Sequence, residues 1–428
     1  MNDYKYELQD TWRWRSQFYF VANGIKRCIC SKMFRILALA YWSMAIFILV
    51  VNINSGCNWI EMFFQCVFSV VAYAAWMWVL GKPKGGIIMI HNFNRIGMIN
   101  KAGETPLLID REYDGAHKTW KLLFRNCGIP LSVWNDNKDN IESGLNLNII
   151  DICERGKKYI EISATSGNTL LPDYVQWKKS DLSDIDFQLN LGKSVAGEVS
   201  VNIANNTPHL LIGGSTGSGK SVLLKCILMQ CIIKGATVWI ADFKGGVDFP
   251  RAWHDKASII IDRETLIIKL EDIVTELHRR KRLFAEHDCA NISEYNKVYH
   301  AGLRRIIFAC DEVAELLDKT GMSKEDKVEI ARVEANIATI ARLGRAFGIH
   351  LILATQRPDA NILSGQIKNN IDYRVCGRAD DVLSQIILDK TDAADTISKL
   401  AQGRFLTYDG TQFQAYYFND KEWNNGKQ

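Results

Sequence analysis

The sequence predicts an α/β protein: a mostly parallel sheet covered by helices, preceded by a two-helix transmembrane hairpin and a small α+β domain. Three observations carry that prediction. From Asp186 onward, short apolar β-type runs alternate with helix-type segments, the pattern of a parallel sheet whose crossovers are helices. Between one such strand, Leu210 to Ile212, and a nearly all-apolar helix, Val222 to Ile233, lies a glycine-rich turn that ends in Gly219-Lys220-Ser221. Near the N-terminus, two long apolar runs stand only a few residues apart.

The first run, Ile36 to Ile53, carries no charge over its 18 residues. As a helix it would span roughly 27 Å, close to the thickness of a bilayer's hydrocarbon core. The second, Trp59 to Leu80, holds Glu61 and Gln65 near its start and Trp76 and Trp78 at its end, where interfacial aromatics sit. Only Asn54 to Asn58 separates the two, so a hairpin is expected. Seven Lys/Arg precede it, none lies in the connection, and Lys82 and Lys84 follow. The positive-inside rule then expects both ends in the cytoplasm and a two-pass protein of the cell membrane. Residues 1–35 make a basic tail with Trp12, Trp14, Phe18, Tyr19 and Phe20, suited to an interfacial helix.

Length and composition fit two or three folded units: 428 residues, 47% hydrophobic and 23% charged. A formal net charge of +4 is too small to argue for nucleic acid by itself. The eleven cysteines are scattered among apolar residues, as in a reducing compartment, and Cys28 and Cys30 have no second pair to complete a metal site. Residues 82–190 read as the membrane-proximal α+β domain. Its expected elements are β-like runs at Gly86 to Ile90 and Tyr159 to Ser163, with helical stretches at Ala116 to Cys127 and Ile141 to Ile152.

Residues 191–428 form the larger α/β domain. Its expected strands are His209 to Ile212, Thr237 to Ala241, Ser258 to Ile261, Ile306 to Cys310 and Ile349 to Ala354, with a closing hairpin of Phe405 to Tyr408 and Gln412 to Phe418 around Asp409-Gly410. Gly214, Gly219, Lys220 and Ser221 fit G-x-x-x-x-G-K-[ST] between strand and helix. That arrangement expects ATP, held by the backbone of Gly214, Ser215, Thr216, Gly217, Ser218, Gly219, Lys220, Ser221 and Val222. Lys220 would lie on the β- and γ-phosphates and the Ser221 hydroxyl on Mg²⁺.

The apolar strand Ile306 to Cys310 ends in Asp311-Glu312, the form of a Walker B element. Asp311 is the expected Mg²⁺ support and Glu312 the expected base toward water. Gln356, in Ala354-Thr355-Gln356-Arg357-Pro358 at a further strand end, is placed to sense the γ-phosphate. Asp242-Phe243-Lys244-Gly245-Gly246 ends another strand. It could face the nucleotide, a neighbouring subunit or a polymer in a pore, and the residues do not choose.

Residues 187 to 408 resemble the motor domain of the FtsK/SpoIIIE group of DNA translocases, within the FtsK/HerA class of P-loop, RecA-like ATPases. The resemblance lies in LGKSVAGEVSVNIANNTPHLLIGGSTGSGKS, in ADFKGG, in ELHRRKRLFAEHDCANISEYN as a long helix ending at Tyr295-Asn296, and in ARLGRAFGIHLILATQRPDANILSGQIKNNIDYRV. It implies a homo-hexameric ring that hydrolyses ATP between subunits and pulls DNA through its centre.

Such a ring also needs a cation from the neighbouring subunit. Where relatives read Ser-Arg before an apolar triplet, this chain reads Ser384-Gln385-Ile386-Ile387-Leu388, so Arg374 and Arg378 are the candidates, with Arg345 behind them. Lys368 is a candidate contact to DNA phosphates. Two spans, a compact motor and only ten residues after Phe418 look like the coupling proteins of conjugative elements, which deliver relaxase-bound DNA to a secretion channel. A chromosome-partitioning double-stranded DNA pump and an FtsK-like protein-secretion ATPase share the motor residues and stay open.

Overall fold

The computed structural model describes residues 3–115, 118–205, 207–356 and 363–420, with side chains from residue 17 onward. Two compact units make up the chain, Met1–Leu170 and Leu171–Gln428.

In the first unit, α1 (Asp3–Cys30), α2 (Lys32–Asn54) and α3 (Trp59–Gly81) form a helical cluster. The latter two are long and apolar enough to cross a membrane, and few of their residues are fully buried in the protein. The expected tail helix forms, but its described half does not lie free. Two glycines let it cross α3 with backbones touching: a Cβ built on Gly24 would lie 1.8 Å from the Met77 carbonyl oxygen, and one on Gly81 1.7 Å from that of Phe20. Arg27 then donates to the Leu80 carbonyl at 2.9 Å and to Asp110 at 3.1 Å. The side chains of Trp12 and Trp14 lie outside the described residues.

The rest of this unit comprises α4 (Gly86–Arg95), β1 (Leu107–Asp114), β2 (Thr119–Arg125), α5 (Leu131–Asp136), α6 (Lys138–Leu145), β3 (Leu147–Glu154) and β4 (Tyr159–Ser166). The strands pair antiparallel in the order β1-β2-β4-β3. Phe93, Phe124 and Trp134 meet ring to ring in the core, at centroid distances of 5.3 to 5.7 Å.

Three local expectations are corrected here. Gly86 to Ile90 is the start of a helix, because Met89, Phe93 and Ile96 recur at helical spacing and turn into this core. Ala116 and His117 are outside the described residues, but residues 119–125 of the expected 116–127 helix are strand β2. Its Leu122 and Phe124 alternate inward and both edges are paired. The 141–152 helix stops at Leu145, where Asn146 turns left-handed at φ 52°, and β3 follows.

The second unit contains β5 (Val175–Gln176), β6 (Gln188–Ser194), β7 (Gly197–Asn202), β8 (Leu210–Gly213), α7 (Lys220–Ile233), β9 (Thr237–Ala241), α8 (Arg251–His254), β10 (Ser258–Ile260), α9 (Arg263–Glu286) and α10 (Ile292–Tyr299). It continues with β11 (Ile306–Cys310), α11 (Val313–Leu317), α12 (Lys324–Phe347), β12 (Ile349–Thr355), α13 (Gly365–Lys368), β13 (Tyr373–Cys376), α14 (Asp381–Leu388), α15 (Asp392–Thr396), β14 (Arg404–Thr407) and β15 (Gln412–Tyr417).

Among the described residues these strands build an 11-stranded sheet. Its order is β10-β9-β11-β12-β8-β13-β14-β15-β6-β7, with β5 beside β15. The six from β10 to β13 run parallel, and the rest are antiparallel apart from the β5 pairing. The parallel strands are apolar throughout because both of their faces are covered. Leu210, Ile212, Ile307 and Ala309 face α7 on one side, while Leu211, Phe308, Leu351 and Leu353 face α9 and α12 on the other.

The division between units falls at Leu170/Leu171, not at 190/191. Val175 pairs with Tyr416, and the Trp177 N–H bonds the Tyr417 carbonyl at 3.0 Å, which ties residues 175–177 to the large sheet. The long helix expected to end at Tyr295-Asn296 is two helices. Asp288 takes φ 54° after Glu286, and Asn291 caps the second by accepting from the Glu294 N–H at 3.0 Å.

Candidate nucleotide site

Five neighbouring parallel strands deliver their carboxyl ends to one place, and each end carries a polar segment. Residues 214–219 follow β8, Asp242 to Lys244 follow β9, Asp311-Glu312 follow β11, Thr355-Gln356 close β12, and Gly377-Arg378 follow β13. Ligands of open α/β sheets gather outside such ends. The tie between the strands continues into the loop: Gly214 N–H donates to the Thr355 carbonyl at 3.3 Å and Gly377 N–H to that of Gly213 at 2.9 Å.

The loop's backbone needs its glycines. Gly217 has φ +77°, and Gly219, at φ +98°, lies where a Cβ would meet the Gly403 backbone at 3.0 Å. α7 then begins at Lys220 with no side-chain cap, so its first N–H groups are open toward the loop's hollow at the positive end of the helix. The Ser218 hydroxyl is buried with no protein partner. A glycine-rich turn, a cationic lysine and an uncapped helix N-terminus suit a polyphosphate.

Lys220 and Asp311, both almost fully buried, form an ion pair at 3.0 Å, and Lys220 also donates to the Asp311 carbonyl. Ser221 Oγ donates to the same carboxylate oxygen at 2.8 Å. Hydroxyl and carboxylate, the two expected metal supports, are thus brought together. Burial alone would push the Asp311 carboxyl up, but Lys220, with the hydrogen bonds of Ser221 and Lys244, holds it below the usual range.

Glu312 is equally enclosed. One of its oxygens accepts from the Thr355 hydroxyl at 2.7 Å and the other from the Gln356 N–H at 3.0 Å. Each carboxylate oxygen has two lone-pair directions, so acceptor capacity remains on both. The Gln356 side chain in turn accepts from Thr216 Oγ1 at 3.1 Å, which joins Glu312 to the tip of the loop through one residue.

Two groups were not legible as parts of this cluster. Lys244, in the segment whose direction the sequence left open, turns inward and donates to Asp311 at 3.1 Å and to Asp248 at 2.8 Å. Burial opposes its charge, but those two carboxylates outweigh burial and hold the ammonium firmly protonated. Arg378 braces its own loop, donating to the Thr216 carbonyl and, at 2.8 Å, to that of Lys399.

Arg374, a candidate inter-subunit cation, is bonded within its own chain. Each of its three nitrogens already donates, to Ile371 at 2.9 Å, Asp389 at 2.8 Å and Lys368 at 3.0 Å, and the side chain is only 11% exposed. Lys368 is likewise paired with Asp389 at 2.6 Å. Arg345 is exposed and donates to the Asn205 carbonyl. Arg357 and Pro358 are outside the described residues.

A model of the FtsK/SpoIIIE family matches residues 171–360. The DNA translocase FtsK of Caldanaerobacter subterraneus subsp. tengcongensis is 30% identical over 242 residues, 54% of this chain and 32% of that protein. The DNA translocase SpoIIIE of Bacillus subtilis is 30% identical over 226 residues, 48% of this chain and 27% of that one. The chain therefore spans about a third or less of the length of these curated relatives. The solved structure of the pCW3 conjugation coupling protein TcpA, in monomer form with ATPγS, is 34% identical with a TM-score of 0.58. That likeness covers 79% of this chain and 97% of the TcpA chain.

Proposed function

The chain belongs to the FtsK/SpoIIIE family, and from that premise we propose that it is a membrane-anchored, ATP-driven DNA translocase, acting as the coupling protein that hands DNA to a conjugative secretion channel. The observation that supports coupling over other translocation is the likeness to TcpA. It extends over 79% of this chain, a larger share than the unit Leu171–Gln428 makes up. The two apolar helices supply the anchor, and the basic residues on either side of them favour cytoplasmic termini.

In this reading the N–H groups from Gly217 to Val222 and the Lys220 ammonium hold the triphosphate of ATP, while Ser221 and Asp311 hold Mg²⁺. ATP supplies the phosphoryl group whose transfer to water releases the free energy of transport. To serve it, Lys220 and Ser221 must turn part of their hydrogen bonding from Asp311 toward the ligand. Glu312 accepts the proton of the attacking water on an oxygen that Thr355 or Gln356 orients, and Gln356 reports the occupancy of the loop through Thr216. Arg378 steadies the loop from within its own subunit. Of the three arginines, Arg345 is the most exposed and is the first candidate to reach a neighbouring site in a hexameric ring, with Arg374 and Arg378 behind it.

The test is ATP turnover by the full chain in nanodiscs, with and without DNA, over a salt series. The proposal expects DNA-stimulated turnover whose stimulation falls steeply with salt, because phosphate contacts release counterions. Turnover indifferent to DNA at every salt concentration would remove the translocase reading. A double-stranded DNA pump of division or sporulation is the second reading, favoured by the motor's likeness to FtsK and SpoIIIE. Plasmid or element transfer from cells lacking the gene separates the two, since only the coupling reading, with its relaxase and channel partners, loses transfer while division proceeds.

A further inference from the structure

We infer that a groove where α3 leaves the membrane binds an anionic phospholipid of the bilayer, an inference that rests on the membrane-anchored reading above. α3 ends at Gly81 and α4 begins at Gly86, so the first turn of α4 follows the span almost at once. One face of α4 is spent on the core of the small domain, through Phe93 and Met89. The other presents Ile87 and Ile88, 74% and 66% exposed. Beside them opens a cavity of about 440 Å³, walled by Phe20, Pro83, Ile90, Leu107 and Leu108. An apolar groove flanked by bare isoleucines is costly in water and favourable against acyl chains.

The rim is cationic. Lys82 lies over the Trp78 ring at 3.2 Å, an aromatic at the end of a span, and Lys84 is exposed beside it. Arg111 reaches the Lys84 carbonyl at 3.4 Å, stacks on Trp120 at 3.9 Å, and keeps a buried Nε with no acceptor. The neighbouring carboxylates are committed elsewhere: Asp110 to Arg27 at 3.1 Å and Glu112 to Lys26 at 2.9 Å. Among the described residues no carboxylate pairs with Lys82, Lys84 or Arg111. Apolar walls continuous with a membrane span, under a rim of one charge sign, match an acyl chain and a negative headgroup at the cytoplasmic leaflet.

The full chain is placed in phosphatidylcholine nanodiscs carrying a trace of diazirine-bearing phosphatidylglycerol, or of phosphatidylcholine with the same diazirine chain, and cross-linked peptides are mapped after illumination. Residues 82–90 and 107–111 are expected to label several-fold more from phosphatidylglycerol than from phosphatidylcholine. The pair Ile87→Ser and Ile88→Ser should cut that labelling about tenfold, and Lys82→Gln with Lys84→Gln should abolish the headgroup preference. The substituted side chains point away from the core, and an unchanged melting temperature verifies the fold. Labelling confined to residues 32–81 would overturn the groove while leaving the anchor intact. Absence of labelling there as well would overturn the anchor itself. Cross-links from 82–90 to a second copy of the chain would assign the groove to protein and overturn the inference.

Discussion

The carboxylate of Asp311 is held by two lysines of unequal exposure, and removing them singly and together gives unequal, non-additive costs. Lys244 is 39% exposed on its side chain, so its pair at 3.1 Å is screened, and Lys244→Met should cost about 0.5–1 kcal/mol. Lys220 is 6% exposed and lies 3.0 Å from Asp311. Lys220→Met still leaves Ser221 and Lys244 on the carboxylate, so the cost is about 1–2 kcal/mol. The double variant leaves a carboxylate, 3% exposed, with a hydroxyl and no cation, for which about 3–5 kcal/mol is expected. The coupling is therefore about 1–2 kcal/mol.

The pH dependence should change sign. In the wild type the folded pKa of Asp311 is depressed, so its contribution is complete above the unfolded value, about 3.9, and is lost as pH falls through the folded value. In the double variant burial is left largely unopposed and raises the folded pKa. The folded state then binds more protons than the unfolded, and stability from this group rises as pH falls. The assay is denaturant unfolding of residues 171–428 at pH 7 and pH 5 for the four proteins of the cycle. Additive costs, or a double variant whose change in stability from pH 7 to pH 5 equals that of the wild type, would refute the shared-carboxylate account, since the change common to all four proteins cancels.

Three further outcomes are expected. Glu312→Gln keeps the acceptor toward Thr355 but gives up the base, so nucleotide affinity should stay within a few-fold while turnover falls about 10²-fold or more, read by steady-state ATP hydrolysis and a fluorescent ATP analogue; normal turnover would end the base assignment. Arg378→Ala removes two charge-assisted bonds to backbone carbonyls and should weaken ATP binding by about tenfold through a loosened loop. In rings mixed with wild type that defect should stay with the subunit carrying the substitution.

His209 and His350 are buried beside one another. Burial pushes His209 down to about 4, and burial with the Arg305 charge pushes His350 well below its usual value. Both are neutral in the fold, so stability is complete above pH 6.5 and falls as the unfolded chain takes up protons. His209 alone accounts for about 3 kcal/mol by the time pH reaches about 4. Unfolding curves from pH 7 to 5 should show the loss, and His209→Gln should remove the His209 share of it while that of His350 remains.

The larger unit was legible in the sequence because its determinants are local. A strand buried on both faces must be a short apolar run, a phosphate loop needs glycine where φ is positive, and a helix buried all round must be apolar all round. Thr237–Ala241 and Ile306–Cys310 therefore stand where the pattern put them, and Asp311-Glu312 stand at a strand end. The small domain was less legible because its segments are short and half-buried, and partners distant in sequence decide them. Residues 119–125 are strand because β1 and β4 pair both edges, and Gly86 to Ile90 is helix because Phe93 has a core to enter. What only the tertiary structure decided is the direction of each polar side chain at the strand ends. Lys244 turned to Asp311, Arg378 to its own loop and Arg374 to Asp389. A buried charge goes where a counter-charge or a row of carbonyls is already fixed, and that position depends on how the strands are ordered in the sheet.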